Sequence, residues 1–536
     1  MPTQRIAFKE WLPDQPSILD TVSEANNVIP LAVGYGPFKS AVNFSGVATE
    51  DLNNCFAAKL DNDVFIFAGG ATKLFKVDNT DLSLVDESKS GGYTGVNKWQ
   101  FLQFGNLALA SNGSEKIQAF DVNSSTAFAD ASSEAPVAKY ITAVRDFVVA
   151  GNIGAGTNPN KVQWSGINDA STWTTTATSQ SDFQLLPDGG DITGVVGGEF
   201  GIIFLEKAIV RMSYIGSPLI FQFDTISRNV GCIEGNSIAQ YAGTAYFLSD
   251  DGFYSTNGQT FTGIGSEKVD RYFFNNANIG DIDSISAAVD PERNLVIWNY
   301  GNVSGGRSLI IYNFETQKWC EADTDVDYLS TLATSGTTLD GLDSAYNVTA
   351  GSFVATKQYT IRTVGSTDFT LIGAVANTVG VLFTATGAGS GTGVAIDMAA
   401  SAAALKTVDT ITTTLDDRLY KGGKFLFGGV RDTRIITFTG TNATGSIITN
   451  DLEYGYNSVL TLIRPSVDNG SASVSVASRR MLDDTITYGT AVTASQEDRC
   501  SVRSAGRYHR IALTPTGANW SSAIGMDIEY SEQGTR

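Results

Sequence analysis

Short runs of alternating apolar and polar residues follow one another along nearly the whole chain, separated by clusters of Gly, Asn and Asp. Such runs are typical of β-strands, and such clusters are typical of the turns between strands. Examples are DVFIFA at 63–68, YITAVRDFVVA at 140–150 and SLIIYNFETQKW at 308–319. Helical periodicity is scarce, and the alanine-rich stretch Asp397–Val408, the best helix candidate, could equally be a linker of small residues. The pattern therefore predicts an all-β protein.

The strand runs recur at a coarse period that indicates a repeat architecture. Six units of about 40–50 residues cover roughly residues 60–325, which is the spacing of blades in a β-propeller. Hairpins such as FLSDDGFYSTNG suit tight turns, here at Asp251 and Gly252. A blade is a four-stranded sheet that cannot bury its faces alone, and a ring of blades buries them against each other. A β-sandwich is the competing all-β arrangement.

Changes in composition divide the chain into four regions. Residues 1–59 form an N-terminal arm and first strands that join the propeller, which is predicted over 60–340. Residues 341–400 are poor in charge and rich in Gly and Thr, which predicts a small inserted β module. Residues 401–536 return to alternating strands and predict a C-terminal β-sandwich-like domain, which could contribute a closing strand to the propeller.

The balance of charge bears on the partners of the protein. Lys and Arg number 36 and Asp and Glu number 56, so the formal net charge is −20, while charged residues make up only 17% of the 536 residues. An acidic protein does not wrap nucleic acid by neutralising phosphates. It could instead let a duplex slide past without sticking, or its acidity could simply maintain solubility. A surface with few charges favours assembly with further copies of the chain.

Residue types that carry chemistry do not form a recognisable motif, so we predict no enzyme and no catalytic, cofactor or metal site. The single histidine, His509, lies in a strand-like run and is interpreted as structural. Gly151–Gly156 (GNIGAG) is not followed by the helix that a dinucleotide site needs. The acidic residues guarantee accidental carboxylate pairs, and no local pattern marks a catalytic one. The cysteines are widely spaced and indicate free thiols rather than a zinc site or disulfides: Cys55, Cys232, Cys320 and Cys500.

Tryptophans and late arginines are the other candidate binding residues. The tryptophans could form sugar platforms, although a place in the core or between blades fits them better: Trp11, Trp99, Trp164, Trp173, Trp298, Trp319 and Trp520. The arginines could form a basic face for DNA or, preferably, for an acidic partner subunit: Arg464, Arg479, Arg480, Arg499, Arg503, Arg507 and Arg510. Residues 1–20 lack the apolar run of a signal peptide, and no stretch of 18 apolar residues predicts a membrane span.

Several segments together resemble one family. The N-terminal stretch has WLPDQPSILD followed by ANNVIPLAVGYGPFKS, and a later strand pair has AVDPERNLVIWNY followed by SLIIYNFETQKW. The C-terminal region adds Ile463–Pro465, Val474–Arg479, Cys500–Arg510 and Trp520–Glu529. In this order the segments resemble the tail nozzle proteins of short-tailed bacteriophages, also called tail hub or packaged-DNA-stabilisation proteins. Thr363–Ala395 is similar to a glycine-rich module of phage structural proteins, and simple family members lack it.

The resemblance implies a structural protein of the virion tail, made in the host bacterial cytoplasm. It implies a β-propeller with an added β domain, assembled as a hexameric ring between the portal–adaptor complex and the tail needle, tip or fibres. Such a ring retains packaged double-stranded DNA and lets it pass during ejection. The alternative hypothesis is a receptor-binding or polysaccharide-degrading tail fibre or tailspike.

Overall fold

The computed structural model describes residues 2–61, 63–79, 81–95, 98–176, 178–334, 347–397 and 425–533. Strands dominate these ranges, and the α-helix α1 (Asp270–Asn276) is accompanied by short 3-10 helices at Gly235–Ser237, Ile279–Ser284 and Phe369–Ile372. The predicted all-β class is therefore confirmed. The chain divides into two compact units, one of Met1–Ala58, Phe65–Leu332 and Phe425–Arg536, the other of Lys59–Val64 and Ala333–Lys424.

The chain opens with five short strands, four of which pair with strands far away in sequence, while the third pairs with the fourth. They are β1 (Thr3–Ala7), β2 (Val22–Asn26), β3 (Val28–Pro30), β4 (Tyr35–Pro37) and β5 (Val42–Asn43).

Six blades of four antiparallel strands follow in sequence order; the first five are separate sheets, and the sixth is part of a 14-stranded sheet. Blades one and two are β6 (Leu52–Leu60), β7 (Asp63–Gly70), β8 (Leu74–Val77), β9 (Leu84–Asp86), and β10 (Gln100–Phe104), β11 (Leu107–Ser111), β12 (Gln118–Asp121), β13 (Ala129–Asp130). Blades three and four are β14 (Ala138–Val144), β15 (Phe147–Ile153), β16 (Asn158–Trp164), β17 (Asp182–Leu185), and β18 (Ile192–Val196), β19 (Gly201–Leu205), β20 (Ile209–Gly216), β21 (Ile220–Ser227). Blades five and six are β22 (Ala239–Tyr241), β23 (Thr244–Leu248), β24 (Phe253–Thr256), β25 (Phe261–Gly263), and β26 (Ser286–Asp290), β27 (Leu295–Gly301), β28 (Arg307–Asn313), β29 (Lys318–Thr324).

The larger part of the second unit begins at Ala333, the last residue of β30 (Tyr328–Ala333), and contains a small sheet in the region of the predicted module. Its strands are β31 (Asn347–Thr349), β32 (Gln358–Thr363), β33 (Leu382–Thr384) and β34 (Val394–Asp397), in the spatial order β31-β34-β32-β33. Phe353, Tyr359 and Phe369 pack in its core. Of the helix candidate Asp397–Val408, Asp397 ends β34 and the rest lies outside the described residues.

A seventh blade is assembled from three separate parts of the chain. It has the order β30-β35-β36-β5, with β35 at Phe425–Arg431 and β36 at Arg434–Thr437. The N-terminal strand β5 pairs antiparallel with β36, Val42 opposite Thr437. The blade is joined to the first one where the Leu52 N–H donates to the Asp432 carbonyl at 2.7 Å. The N-terminus therefore completes the last blade of the propeller.

Apolar side chains between successive blades form the core of the ring. Separate clusters join blades one and two, two and three, three and four, and four and five. A larger cluster joins blades five, six and seven with the C-terminal strands. In it the Phe253 ring lies 4.7 Å from Trp298 and 5.2 Å from Trp319, measured between ring centroids. Each blade thus buries its faces against its neighbours, as a propeller requires.

The strands after the seventh blade continue the sheet of blade six. They are β37 (Ser446–Thr449), β38 (Leu452–Asp468), β39 (Ser471–Arg479), β40 (Val492–Thr493), β41 (Cys500–Thr516) and β42 (Ser522–Glu532). The order β26-β27-β28-β29-β2-β37-β41-β38-β42-β4-β3 makes one sheet, to which β1, β39 and β40 add. Strand β2 is the link, parallel to β29 at Asn26 and Glu321 and antiparallel to β37. The N-terminal arm therefore joins the C-terminal strands to the propeller by hydrogen bonds.

The range predicted for the propeller, 60–340, differs from the observed strands. Seven blades are present in the described residues, against six repeating units in the sequence. Blade one begins at Leu52, and the seventh blade takes strands from both sides of the inserted module and from the N-terminus. Strands that are far apart in sequence leave no local period, so the repeat pattern does not reveal the closing blade.

Close packing between blades one and two makes Gly69 a sensitive position. A Cβ atom at Gly69 would lie 2.3 Å from Cδ1 of Trp99, a side chain that is fully buried and donates to the Gly70 carbonyl at 2.9 Å. We expect Gly69→Ala to lower the free energy of unfolding by about 1–3 kcal/mol through overpacking. At the control position Gly263, the nearest atom to an added Cβ lies at 3.6 Å, so Gly263→Ala should change little. Urea unfolding of both variants measures the difference, and equal effects would contradict the packing argument.

Candidate functional site

His509 is fully buried and held from both sides. Its Nδ1 atom lies 2.6 Å from the Ser478 hydroxyl and its Nε2 atom 2.8 Å from the Ser458 hydroxyl. Burial lowers the pKa of His509 to about 4, so the imidazole is neutral at pH 7. Both ring nitrogens are thus occupied inside the C-terminal sheet, in keeping with the structural interpretation of this residue.

The tryptophans and the glycine-rich segment are also part of the fold. Every tryptophan is buried, the most exposed at 3%, so none forms a surface platform for a sugar ring. Gly151–Gly156 runs from the end of β15 into the turn before β16, and no helix follows it. The tryptophans are therefore not placed to stack on a sugar, and Gly151–Gly156 lacks the helix that a dinucleotide site needs.

The arginines of the C-terminal region mostly pair with nearby carboxylates. Arg479 and Arg510 both bind the Asp451 carboxylate, whose side chain is fully buried, at 2.6 Å and 3.1 Å. Burial alone would raise the pKa of Asp451, and hydrogen bonds from the two guanidinium groups instead hold it below its ordinary value. Further ion pairs join Arg464 with Glu529, Arg499 with Glu497 and Arg507 with Glu453. The predicted basic face is thus largely neutralised within the chain.

The four cysteines are buried free thiols. Burial raises the pKa of Cys55 and Cys232 to about 12 and that of Cys500 to about 11, and it raises the pKa of Cys320 well above its ordinary value. Thiolate, the reactive form, is therefore scarce at neutral pH. In the part of the chain that the structure describes, no group of three or more His, Cys, Asp or Glu is arranged to hold a metal ion, and no helix is long and apolar enough to span a membrane.

Polar side chains converge at the centre of the propeller, where the first strands of the blades meet. We call this group the hub cluster and define it as Asn54, Lys98, Gln100, Glu234, Asn236 and Tyr328. These residues lie in or just before the first strands of blades one, two, five and seven. Ligand sites often lie where several elements meet in this way, so the hub cluster is the candidate site that the fold itself creates.

Hydrogen bonds connect the hub cluster across the ring. The Asn236 side-chain oxygen accepts from Gln100 Nε2 at 2.8 Å and from the Tyr328 hydroxyl at 3.0 Å. The Ser330 hydroxyl donates to the Asn54 side-chain oxygen at 3.0 Å and so joins blade seven to blade one. In a ring of seven, blades two and five lie on opposite sides, so the contact between Gln100 and Asn236 spans the centre.

The hub cluster contains two ionisable side chains: Lys98, which is half-buried, and Glu234, which is buried. Lys98 donates to the Asp283 carbonyl at 3.0 Å and lies 5.2 Å from the centroid of the Tyr328 ring. Burial lowers the pKa of Lys98 to about 8; the charge of Glu234 opposes this and Arg307 reinforces it. Burial likewise raises the pKa of Glu234, whose carboxylate accepts from the Asn236 side-chain amide at 2.8 Å.

The arrangement fastens the blades together and closes the hub. Donors and acceptors of the cluster bond one another and neighbouring groups such as the Asp283 carbonyl, and a hydrogen bond across the centre leaves no opening for a nucleic acid strand at that level. The sequence did not reveal this site, because its residues are separated by up to 274 positions, from Asn54 to Tyr328. The available signal was the recurrence of polar residues beside the apolar first strand of several repeats, as at Lys98 and Gln100.

Comparison with known proteins adds little to this geometry. No family model matches the chain, and no curated protein matches its sequence. Among solved structures, the chain is similar to one in the "Crystal Structure of Mitotic Checkpoint Complex", with 10% identity and a TM-score of 0.36 over 55% of this chain and 86% of that chain. This TM-score is too low to support a fold assignment, so the propeller is assigned from the strand pairing within the sheets.

The half-buried position of Lys98 makes a pH-dependent prediction. Because its pKa falls from 10.5 to about 8, the folded protein releases this proton before the unfolded chain does, and stability should rise with pH across that interval. Lys98→Met lacks the titrating group. As the pH rises from about 7.5 to about 10, only the wild type should gain this stability. The free energy of unfolding of Lys98→Met minus that of the wild type should therefore decrease. Urea unfolding at both pH values measures this gap, with Lys116→Met outside the hub as control; a gap that does not change with pH for Lys98→Met would contradict the assignment.

His509 makes a prediction on the acid side. Its pKa falls from 6.5 to about 4, so the unfolded chain binds a proton that the folded protein does not, and stability should be lost as pH falls through this interval. The loss attributable to this group is roughly 3 kcal/mol when the shift is fully expressed. When the pH falls from about 7 to about 4.5, the free energy of unfolding of His509→Gln should decrease less than that of the wild type. Urea unfolding at both pH values measures this decrease. Parallel losses in both proteins would contradict burial of a neutral imidazole.

Proposed function

We propose that this chain is a non-enzymatic structural subunit of the nozzle of a short phage tail. In this proposal several copies, six by the family resemblance, stand side by side as a ring around the DNA exit channel. The ring lies between the portal–adaptor complex and the needle, tip or fibres, retains packaged DNA and lets it pass during ejection.

One observation carries the proposal: most of the segments that resemble nozzle proteins meet in a single sheet. The N-terminal stretch supplies β2, β3 and β4, the AVDPERNLVIWNY and SLIIYNFETQKW stretches supply β26 to β29, and the C-terminal segments lie in β38, β39, β41 and β42. All of these strands belong to the sheet that joins blade six to the C-terminal strands. Segments scattered over the sequence thus form one structural element, which is expected if they resemble the family as a unit and not by accident.

The N-terminal part of the resemblance has specific contacts in this element. The Asp14 carboxylate accepts from the Arg271 and Tyr272 backbone N–H groups at 2.9 Å and 2.8 Å, and so caps the start of helix α1. Trp11 is buried, with its ring centroid 5.1 Å from that of Tyr272. The Asn313 side-chain amide donates to the Pro30 carbonyl at 3.0 Å. The arm therefore ties the propeller to the C-terminal strands, a rigid connection that suits a component of a channel wall.

The closed hub supports a channel between copies rather than through one of them. Because Gln100 and Asn236 are hydrogen-bonded across the centre, a duplex has no route along the axis of a single propeller. A conduit for DNA would have to be surrounded by several subunits, each forming part of the wall. In that arrangement a closed hub is useful, because it leaves no second opening beside the channel.

The charge of the chain is consistent with a duplex that slides. Each copy has a formal net charge of −20, and like charge in a wall keeps DNA away from it instead of binding it. The C-terminal arginines do not oppose this, because Arg479 and Arg510 are committed to Asp451 and others to neighbouring carboxylates. The alternative function, a receptor-binding or polysaccharide-degrading fibre, lacks the exposed tryptophans that were its main support in the sequence.

The proposal predicts a ring. Electron microscopy of the purified full-length chain, and of virions labelled with an antibody against it, should show a six-fold ring at the distal end of the tail, because subunits that form a wall must close on themselves. Incubation with host polysaccharide should release no sugar. A monomer at all concentrations together with labelling of fibres, or sugar release, would contradict the proposal and favour the alternative function.

The same reconstruction tests the electrostatic part of the proposal separately. We expect acidic residues to outnumber Lys and Arg among those that face the channel, since the chain as a whole carries more acids than bases. A channel lined mainly by Lys and Arg would contradict the sliding mechanism while leaving the ring itself intact.

A further inference from the structure

A cleft of about 490 Å³ lies between blades two and three, away from the hub cluster. Its size falls in the range of small-molecule binding sites. One wall is the β10–β11 turn with Phe104 and Leu107, and the other is the β14–β15 turn with Asp146 and the loop that contains Asn168. The cleft is therefore large enough for a sugar or a molecule of similar size.

The loop in the second wall is unusually long and is held in place. Residues 165–181 connect β16 and β17, whereas most connections in compact domains have about 4–6 residues and longer ones are often functional. The Glu134 carboxylate of the neighbouring segment accepts from the Trp173 and Thr174 N–H groups at 3.2 Å and 3.1 Å, and the Trp173 side chain is buried. The Ser132 hydroxyl also donates to the Ser171 carbonyl. The cleft is thus formed before any ligand arrives.

Two polar groups in the cleft are available to a ligand. In the described part of the chain, the Asp146 carboxylate and the Asn168 side-chain amide have no hydrogen-bond partner, and both residues are exposed. The Asp169 carboxylate, in contrast, is used by its own loop, accepting from the Ser171 N–H at 2.8 Å and from the Thr172 hydroxyl at 2.7 Å. Asp146 and Asn168 therefore offer both acceptors and donors to hydroxyl groups.

The remaining lining selects against charged ligands. Arg145 lies at the cleft, but its guanidinium binds the Glu199 carboxylate at 3.0 Å and so does not offer a free positive charge. Asp146 and Asp169 repel anions, and a single unpaired carboxylate, Asp146, is too little to hold a cation strongly in water. Phe104, Leu107 and several alanines supply an apolar part of the lining. A neutral ligand with many hydroxyls and one apolar face matches this lining.

We propose that the cleft between blades two and three binds a neutral saccharide, with Asp146 and Asn168 hydrogen-bonding its hydroxyl groups and Phe104 and Leu107 packing against its apolar face. The site is a binding site without chemistry at the sugar. It does not rest on the proposed function, since a nozzle subunit and a tail fibre could each carry it.

The test uses the full-length protein with maltose, cellobiose and lactose as probes and glucuronate as the anionic comparison. Saturation-transfer NMR and calorimetry should detect at least one neutral disaccharide with a Kd of about 1–10 mM, as expected for an open cleft, and weaker binding of glucuronate. The double variant Asp146→Ala/Asn168→Ala should weaken binding by about tenfold or more. Asp188→Asn, an exposed acid of the following loop outside the cleft, is the matched control and should bind as the wild type does.

Three results would overturn the proposal. They are no saturation transfer from any neutral probe at about 20 mM, binding that the double variant leaves unchanged, and glucuronate binding as tight as that of the neutral sugars. Thermal unfolding of the double variant checks that its fold is intact. The single variant Asn168→Asp keeps a hydrogen-bond acceptor at this position. It should therefore retain part of the affinity for the sugar if the double variant loses affinity through missing hydrogen bonds. Because ring formation is measured separately, failure here leaves the proposed function unaffected.

Discussion

The structure depends on closure of the propeller ring. A four-stranded blade buries its two faces only against neighbouring blades, so an open ring would expose two apolar faces to water. The chain closes the ring with β5, which pairs with β36 and completes a blade whose other strands lie hundreds of residues away. The hub cluster adds hydrogen bonds across the centre, and the clusters between blades add apolar contact around it.

Closure by the N-terminus also explains how the C-terminal strands are attached. The same arm that supplies β5 first supplies β2, which lies between β29 of blade six and β37. One segment therefore completes the ring and joins the adjacent sheet to it, so the two parts cannot separate without breaking strand pairing. Most of the segments that resemble phage nozzle proteins lie in the sheet that contains this joint, which links the proposed function to the connection between the propeller and the C-terminal strands.

Sequence reasoning was accurate for features that are local. Alternating runs predicted strands, and the structural interpretations of His509 and of the tryptophans agree with their burial. It left the number of blades and the hub cluster undetermined, because Asn54, Gln100, Asn236 and Tyr328 meet only when the ring closes. It also grouped Arg479 and Arg510 as a basic face, whereas their charges are neutralised by Asp451 in the connection between β37 and β38.

By itself, the sequence determined that the protein is built from β-strands, that they repeat at the spacing of blades and that the chain is acidic, because alternation, turn residues and charge are local or additive properties. The number of blades, the strand that closes them, the pairing of the arginines and the cleft beside Asp146 were decided only by the tertiary structure. The physical reason is that hydrogen bonds and apolar contacts act over a few ångströms in space, regardless of how many residues separate the partners along the chain.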